Sequence, residues 1–103
     1  MTVADLISDP RLAASCRRHH VRRLTLFGSA ARGTFEPTRS DLDFVVEFEP
    51  APPVQHAAAY FGLLEELESM FGRPVDLLEP EVIRNEVLAR EIERDRQVVF
   101  DAA

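Results

Sequence analysis

The chain predicts an α/β or α+β fold, a small sheet covered by helices. Three observations carry that expectation. Short apolar runs with strand character lie at 22–28, 41–48, 74–78 and 97–100. Stretches of helical periodicity separate them, and Gly or Pro marks most junctions. The apolar fraction, 46% of 103 residues, suffices for one core and is too high for a disordered chain.

Residues 3–9 and 10–20 read as one or two short helices, with Pro10 suited to a first turn and Asp9 to an N-cap. Leu12, Ala13 and Cys16 form their apolar stripe. Residues 22–28 are a strand through Leu24, Leu26 and Phe27, broken by Gly28. Ser29 is placed as the cap of a very short helix through Arg32, stopped by Gly33. Thr34 to Ser40 reads as a polar loop containing Pro37. In the strand Asp41 to Phe48, alternation puts Asp41, Asp43, Val45 and Glu47 on one face and Leu42, Phe44, Val46 and Phe48 on the other. Pro50, Pro52 and Pro53 form a connector. A helix over 54–71 follows, with Tyr60, Leu63, Leu64, Leu67, Met70 and Phe71 at helical spacing and Gly72 as its end. Pro74 to Leu78 is a third strand. Pro80 and Glu81 begin a helix expected to run to about Asp95, with Ile83, Val87, Leu88 and Ile92 inward. Gln97 to Phe100 is a last strand. The length fits one domain over 1–103, an N-terminal helical segment at 1–20 and a core at 22–100.

Charge excludes several classes. The net charge is −6, unevenly spread. Residues 1–39 hold seven arginines against Asp5, Asp9 and Glu36, and residues 40–103 hold five against fifteen acids. Such a chain is a poor wrapper of nucleic-acid backbone, so no direct nucleic-acid partner is expected. The cluster Arg17-Arg18-His19-His20-Val21-Arg22-Arg23 is expected to be a solvated helix end and loop. One cysteine, Cys16, excludes an internal disulfide. No signal peptide or membrane-length apolar run is read, which predicts a cytoplasmic location.

Two elements carry chemistry. Gly28-Ser29 leaves a strand and opens a short helix, where free N–H groups and a hydroxyl can hold phosphate. Asp41 and Asp43, at i and i+2 on a strand, project to one side and can hold divalent metal, since Mg²⁺ favours carboxylates plus phosphate oxygens. Each element also has an ordinary reading, as a turn or as a half-exposed strand. Together, at the ends of adjacent strands, they suit a metal-bound nucleoside triphosphate. Asp76 would join them if its strand lies beside 41–48; otherwise it is a surface aspartate. The absence of lysine excludes a P-loop NTPase. His19, His20 and His56 lack zinc-ligand spacing.

Leu26-Phe27-Gly28-Ser29-Ala30-Ala31-Arg32-Gly33 followed by Ser40-Asp41-Leu42-Asp43 resembles the signature of the polymerase-β-like nucleotidyltransferase superfamily. The length, Gly72-Arg73-Pro74-Val75-Asp76-Leu77 and the ending Glu91-Ile92-Glu93-Arg94-Asp95 resemble its minimal nucleotidyltransferase branch. The resemblance covers about 22–100 and implies that superfamily's small mixed β-sheet covered by helices. It further implies that Gly28 and Ser29 hold the triphosphate of ATP and that Arg32 approaches phosphate. Asp41, Asp43 and Asp76 would be the catalytic and Mg²⁺-binding carboxylates, with Asp76 a candidate general base. Eleven residues separate Ser29 from Asp41, one more than is usual in the family. A one-residue register slip there would turn the aspartates away from the site. Members of this branch occur as antitoxins beside a HEPN-domain toxin. The resemblance therefore implies AMP transfer from ATP to a tyrosine of such a toxin, in a hetero-oligomer. Two other readings are an antitoxin that neutralises by binding alone, and a transferase of small molecules such as aminoglycosides.

Overall fold

The computed structural model describes residues 3–33 and 41–103. The expected loop Thr34–Ser40 lies outside the described residues. In chain order the elements are α1 (Val3–Ser8), α2 (Pro10–Arg18), β1 (Val21–Phe27), α3 (Gly28–Arg32), β2 (Leu42–Phe48), α4 (Pro53–Phe71), β3 (Val75–Leu78), a 3₁₀ turn (Pro80–Val82), α5 (Glu86–Asp95) and β4 (Gln97–Asp101).

The strands form one mixed sheet in the order β3-β2-β1-β4. β1 lies centrally and antiparallel to β2 and β4, whereas β2 and β3 run parallel. Parallel neighbours need a crossover, and α4 provides it. Pro53 starts α4 with a ring that needs no backbone donor. Gly72 stops it at φ 64°, its N–H donating to the Glu68 carbonyl.

One sheet face makes the core. Leu24, Leu26, Leu42, Phe44 and Val46 point into it, joined by Leu6 of α1, Leu12 and Cys16 of α2, and Leu63 and Leu67 of α4. The alternation read along 41–48 is therefore correct, although Phe48 at the strand end is only half-buried. β3 is an edge strand, and Tyr60 of α4 donates its hydroxyl hydrogen to the Leu77 carbonyl at 2.6 Å, occupying a backbone acceptor on that strand. Asp9 caps α2 as expected, accepting from the Arg11 N–H at 2.9 Å.

Four expectations need correction. The helix expected over 80–95 is two pieces, because Ile83 leaves helical geometry and Asn85 restarts it. The Asn85 side chain accepts from the N–H groups of Val87 at 2.8 Å and Leu88 at 3.3 Å. The restart resets the helical phase, so Val87, expected inward, is 65% exposed. Ser29 does not cap α3: the helix begins at Gly28, and its N-cap, Phe27, has no side-chain oxygen to offer. The basic cluster is tied down rather than simply solvated. Arg18 and His19 both pair with Glu66 of α4, Arg22 and Arg23 pair with Glu47, and Arg17 lies over the Phe100 ring. These ties join α2 to α4 and β1 to β2.

Candidate active site

The site lies on the sheet face opposite the core, at one end of β1, β2 and β3. Strand register brings its parts together. Phe27 is the partner of Asp43 across β1–β2, and Asp43 is the partner of Asp76 across β2–β3. The chain leaves β1 at Gly28 and turns at once into α3. This turn needs glycine for two reasons. Its φ is +76°, and a Cβ there would lie 2.3 Å from Oδ2 of Asp43. The backbone thus passes almost against the carboxylate, leaving no room for a side chain.

A cleft of about 530 Å³ opens over this junction, lined by Phe27, Gly28, Ser29, Arg32, Asp43, Asp76, Leu78, Leu88 and Glu91. Five of the six residues read from the sequence, Gly28, Ser29, Arg32, Asp43 and Asp76, line this one cleft. Asp41 does not line it, standing exposed just before β2. The longer spacer has not slipped the register, since Asp43 reaches the cleft while Leu42 and Phe44 are fully buried on the other face.

The electrostatics follow from the geometry. Burial pushes the Asp43 carboxyl up to about 6; the charges of Asp76 and Asp41 push the same way, and Arg32 pulls it back. Crowded carboxylates with this shift favour a cation among them. Among the described residues no group of three or more His, Cys, Asp or Glu side chains is placed to hold a metal ion. The three-carboxylate metal set expected from Asp41, Asp43 and Asp76 is therefore not assembled among the described residues, and a Mg²⁺ ion here would need substrate phosphates to complete its shell. Asp43 and Asp76, with Asp41 nearby, fit an ion completed in that way.

Sequence reasoning missed the far wall. Leu78, Leu88 and Glu91 line the cleft, and α3 packs against α5. Asp95, the last residue of α5, is buried and binds Arg32 Nη1 at 2.7 Å and Arg94 Nε at 2.9 Å. The hydrogen bonds from Arg94, then Arg32, hold its carboxyl down at about 2. An acid at the end of a helical run was the available signal, but its partner lies 63 positions away. Cys16 has no part here: burial pushes its thiol up to about 12, in the core.

A mixed sheet that sets a carboxylate pair against a Gly-Ser turn has the architecture of a nucleotidyl-transferring enzyme. The comparisons agree. The family model described as nucleotidyltransferase domain matches residues 10–99. A Methanocaldococcus jannaschii protein named as a candidate protein adenylyltransferase is 36% identical over 78 residues, 76% of each chain. A solved candidate minimal nucleotidyltransferase superposes with TM-score 0.68 at 30% identity, covering 94% of this chain and 95% of the other. A toxin–antitoxin structure with AMP-PNP gives TM-score 0.65 at 22% identity, covering 89% and 72%. The Shewanella oneidensis complex of a tri-AMPylated HEPN toxin with its MNT antitoxin gives 0.61 at 16% identity, covering 98% and 74%; these last two show likeness of fold. The chain belongs to the nucleotidyltransferase domain family and is a nucleotidyltransferase.

Proposed function

We propose that the chain is a Mg²⁺-dependent protein adenylyltransferase that acts as an antitoxin, moving AMP from ATP to a tyrosine hydroxyl of a HEPN-type RNase toxin. The observation that carries this reading is the register pair Asp43–Asp76 facing Gly28-Ser29 in one cleft. Its volume suits a nucleotide, since small-ligand sites span roughly 300–1,000 Å³. The names of the relatives support protein as the acceptor and a HEPN toxin as the partner. ATP as donor and a lone buried thiol suit the cytoplasm, and among the described residues no helix is long and apolar enough to cross a membrane.

Each residue takes a role from its position. Gly28 clears space beside Asp43, and the N–H groups that follow it, with the Ser29 hydroxyl, face the phosphates. Arg32 adds positive charge at the cleft wall. Asp43, with Asp41 beside it and the substrate phosphates completing the set, would hold Mg²⁺; the ion's contribution is to offset phosphate charge and orient the leaving group. Asp76, exposed on an edge strand, is within reach of an incoming protein and accepts the acceptor's proton. The acceptor oxygen bonds to the α-phosphorus, the bond from that phosphorus to the bridging oxygen breaks, and pyrophosphate leaves with the electron pair.

The test is to incubate the chain with ATP, Mg²⁺ and the protein encoded next to it in its genome, tested as the candidate HEPN toxin, then weigh the intact partner. The reading predicts a mass gain of whole AMP units and loss of RNase activity. An unmodified partner that is neutralised all the same would leave binding alone as the mechanism.

A further inference from the structure

We propose that Asp95 is a positioning residue for nucleotide binding, holding the Arg32 guanidinium at the cleft wall before the nucleotide arrives. The inference rests on reading the cleft as a nucleotide site, and it assigns a task to a residue outside that cleft. Asp95 ends α5 and Arg32 ends α3, two helices packed side by side. Their contact is a hydrogen-bonded ion pair of 2.7 Å, with the Asp95 side chain 5% exposed and that of Arg32 40% exposed. The anchor is thus buried while the arginine it holds still reaches the cleft.

Charge explains why the anchor matters. The cleft is lined by the acids Asp43, Asp76 and Glu91, an unfavourable wall for a triphosphate, and among its lining residues Arg32 is the cation. Arg94 shares the Asp95 carboxylate. Two guanidiniums share the one carboxylate, so Asp95 fixes Arg32 with a charge divided between the two, while Glu91 also acts on Arg94. A free arginine would lose rotamer freedom on gripping phosphate. Tying one Nη beforehand removes part of that cost, so the benefit falls on affinity more than on the chemical step.

The experiment titrates a fluorescent ATP analogue into the chain alone with Mg²⁺, and measures KM and kcat for ATP with the partner. The proteins are wild type, Asp95→Asn, Asp95→Glu, Arg32→Ala and the double variant Arg32→Ala/Asp95→Asn. Thermal unfolding identifies the variants that fold. Asp95→Asn is expected to weaken nucleotide affinity roughly fivefold to tenfold, a fraction of a full charge-assisted hydrogen bond because Arg32 is half in solvent, with kcat within about twofold. Asp95→Glu, which keeps the charge, recovers part of the loss and remains informative if Asp95→Asn fails to fold. The double variant binds no more weakly than Arg32→Ala, because the anchor has nothing left to hold. The inference is overturned if Asp95→Asn binds like wild type, or if it costs the same factor in the Arg32→Ala background. Wild type that fails to bind the analogue would overturn the nucleotide reading itself, a result distinct from either.

Discussion

Gly28→Ala imposes two costs, and only one concerns the site. The first is backbone: at φ +76° an alanine pays roughly 1–2 kcal/mol. In a domain of this size that lowers Tm by about 5–15 °C. The second is the contact. The new Cβ would lie 2.3 Å from Oδ2 of Asp43, more than an ångström inside the 3.4 Å at which ordinary contact begins. The carboxylate must swing away by about that distance, and a misplacement of ~1 Å in a reacting constellation costs roughly a hundredfold in rate. Gly72→Ala is the control. Gly72 has φ +64° with no atom within 4 Å of the added Cβ, and it ends α4 rather than lining the cleft. Both variants should lose similar stability in urea unfolding, while only Gly28→Ala should lose nucleotidyl transfer, by about two orders of magnitude. Equal transfer by the two variants would refute the argument that Gly28 exists to admit Asp43.

Other predictions test neighbouring parts. Asp43→Asn should abolish transfer yet raise metal-free stability at pH 7.5 by about 1–2 kcal/mol, a figure reduced for solvent screening. The sign follows from a folded carboxyl raised to about 6: the charge costs stability above that pH, and the cost fades as pH falls toward the unfolded value near 3.8. The gain measured in urea should therefore vanish near pH 4, and a gain that persists there would contradict the cause given. Glu66 has the opposite sign, held down at about 2 by Arg18 first, then His19. Its stabilisation is present above pH 4.5 and lost as pH falls through 2. Glu66→Ala should cost about 1 kcal/mol at pH 7 in urea unfolding, with transfer unchanged. Leu63→Ala, at a fully buried position between α4 and the sheet, should cost about 2–5 kcal/mol by the same measurement.

Legibility in the sequence followed the range of the interactions. β2 could be read because alternation from Asp41 to Phe48 is a local pattern imposed by one buried face. α4 could be read because its apolar stripe runs for several turns. The break between Pro80 and Asp95 was missed because Pro80-Glu81 is a good helix start and Ile83, Val87 and Leu88 look periodic. The counter-signal, Asn85 capping a new start, competes with that pattern over only one turn. The strand order was not read, since nothing local says that β4 lies beside β1. For the same reason the motif residues of the cleft were found while its far wall was not. Gly28, Ser29, Asp43 and Asp76 sit in recognisable strings, whereas Leu88, Glu91 and Asp95 reach the site through the packing of α5.

The most direct test of the central claim follows the fate of each phosphate. With ATP labelled at either the α or the γ position, Mg²⁺ and the partner protein, the account predicts α-label on the partner's tyrosine and γ-label released as pyrophosphate, with neither product from Asp43→Asn. Label on the partner from the γ position, or α-label transferred equally well by Asp43→Asn, would contradict it.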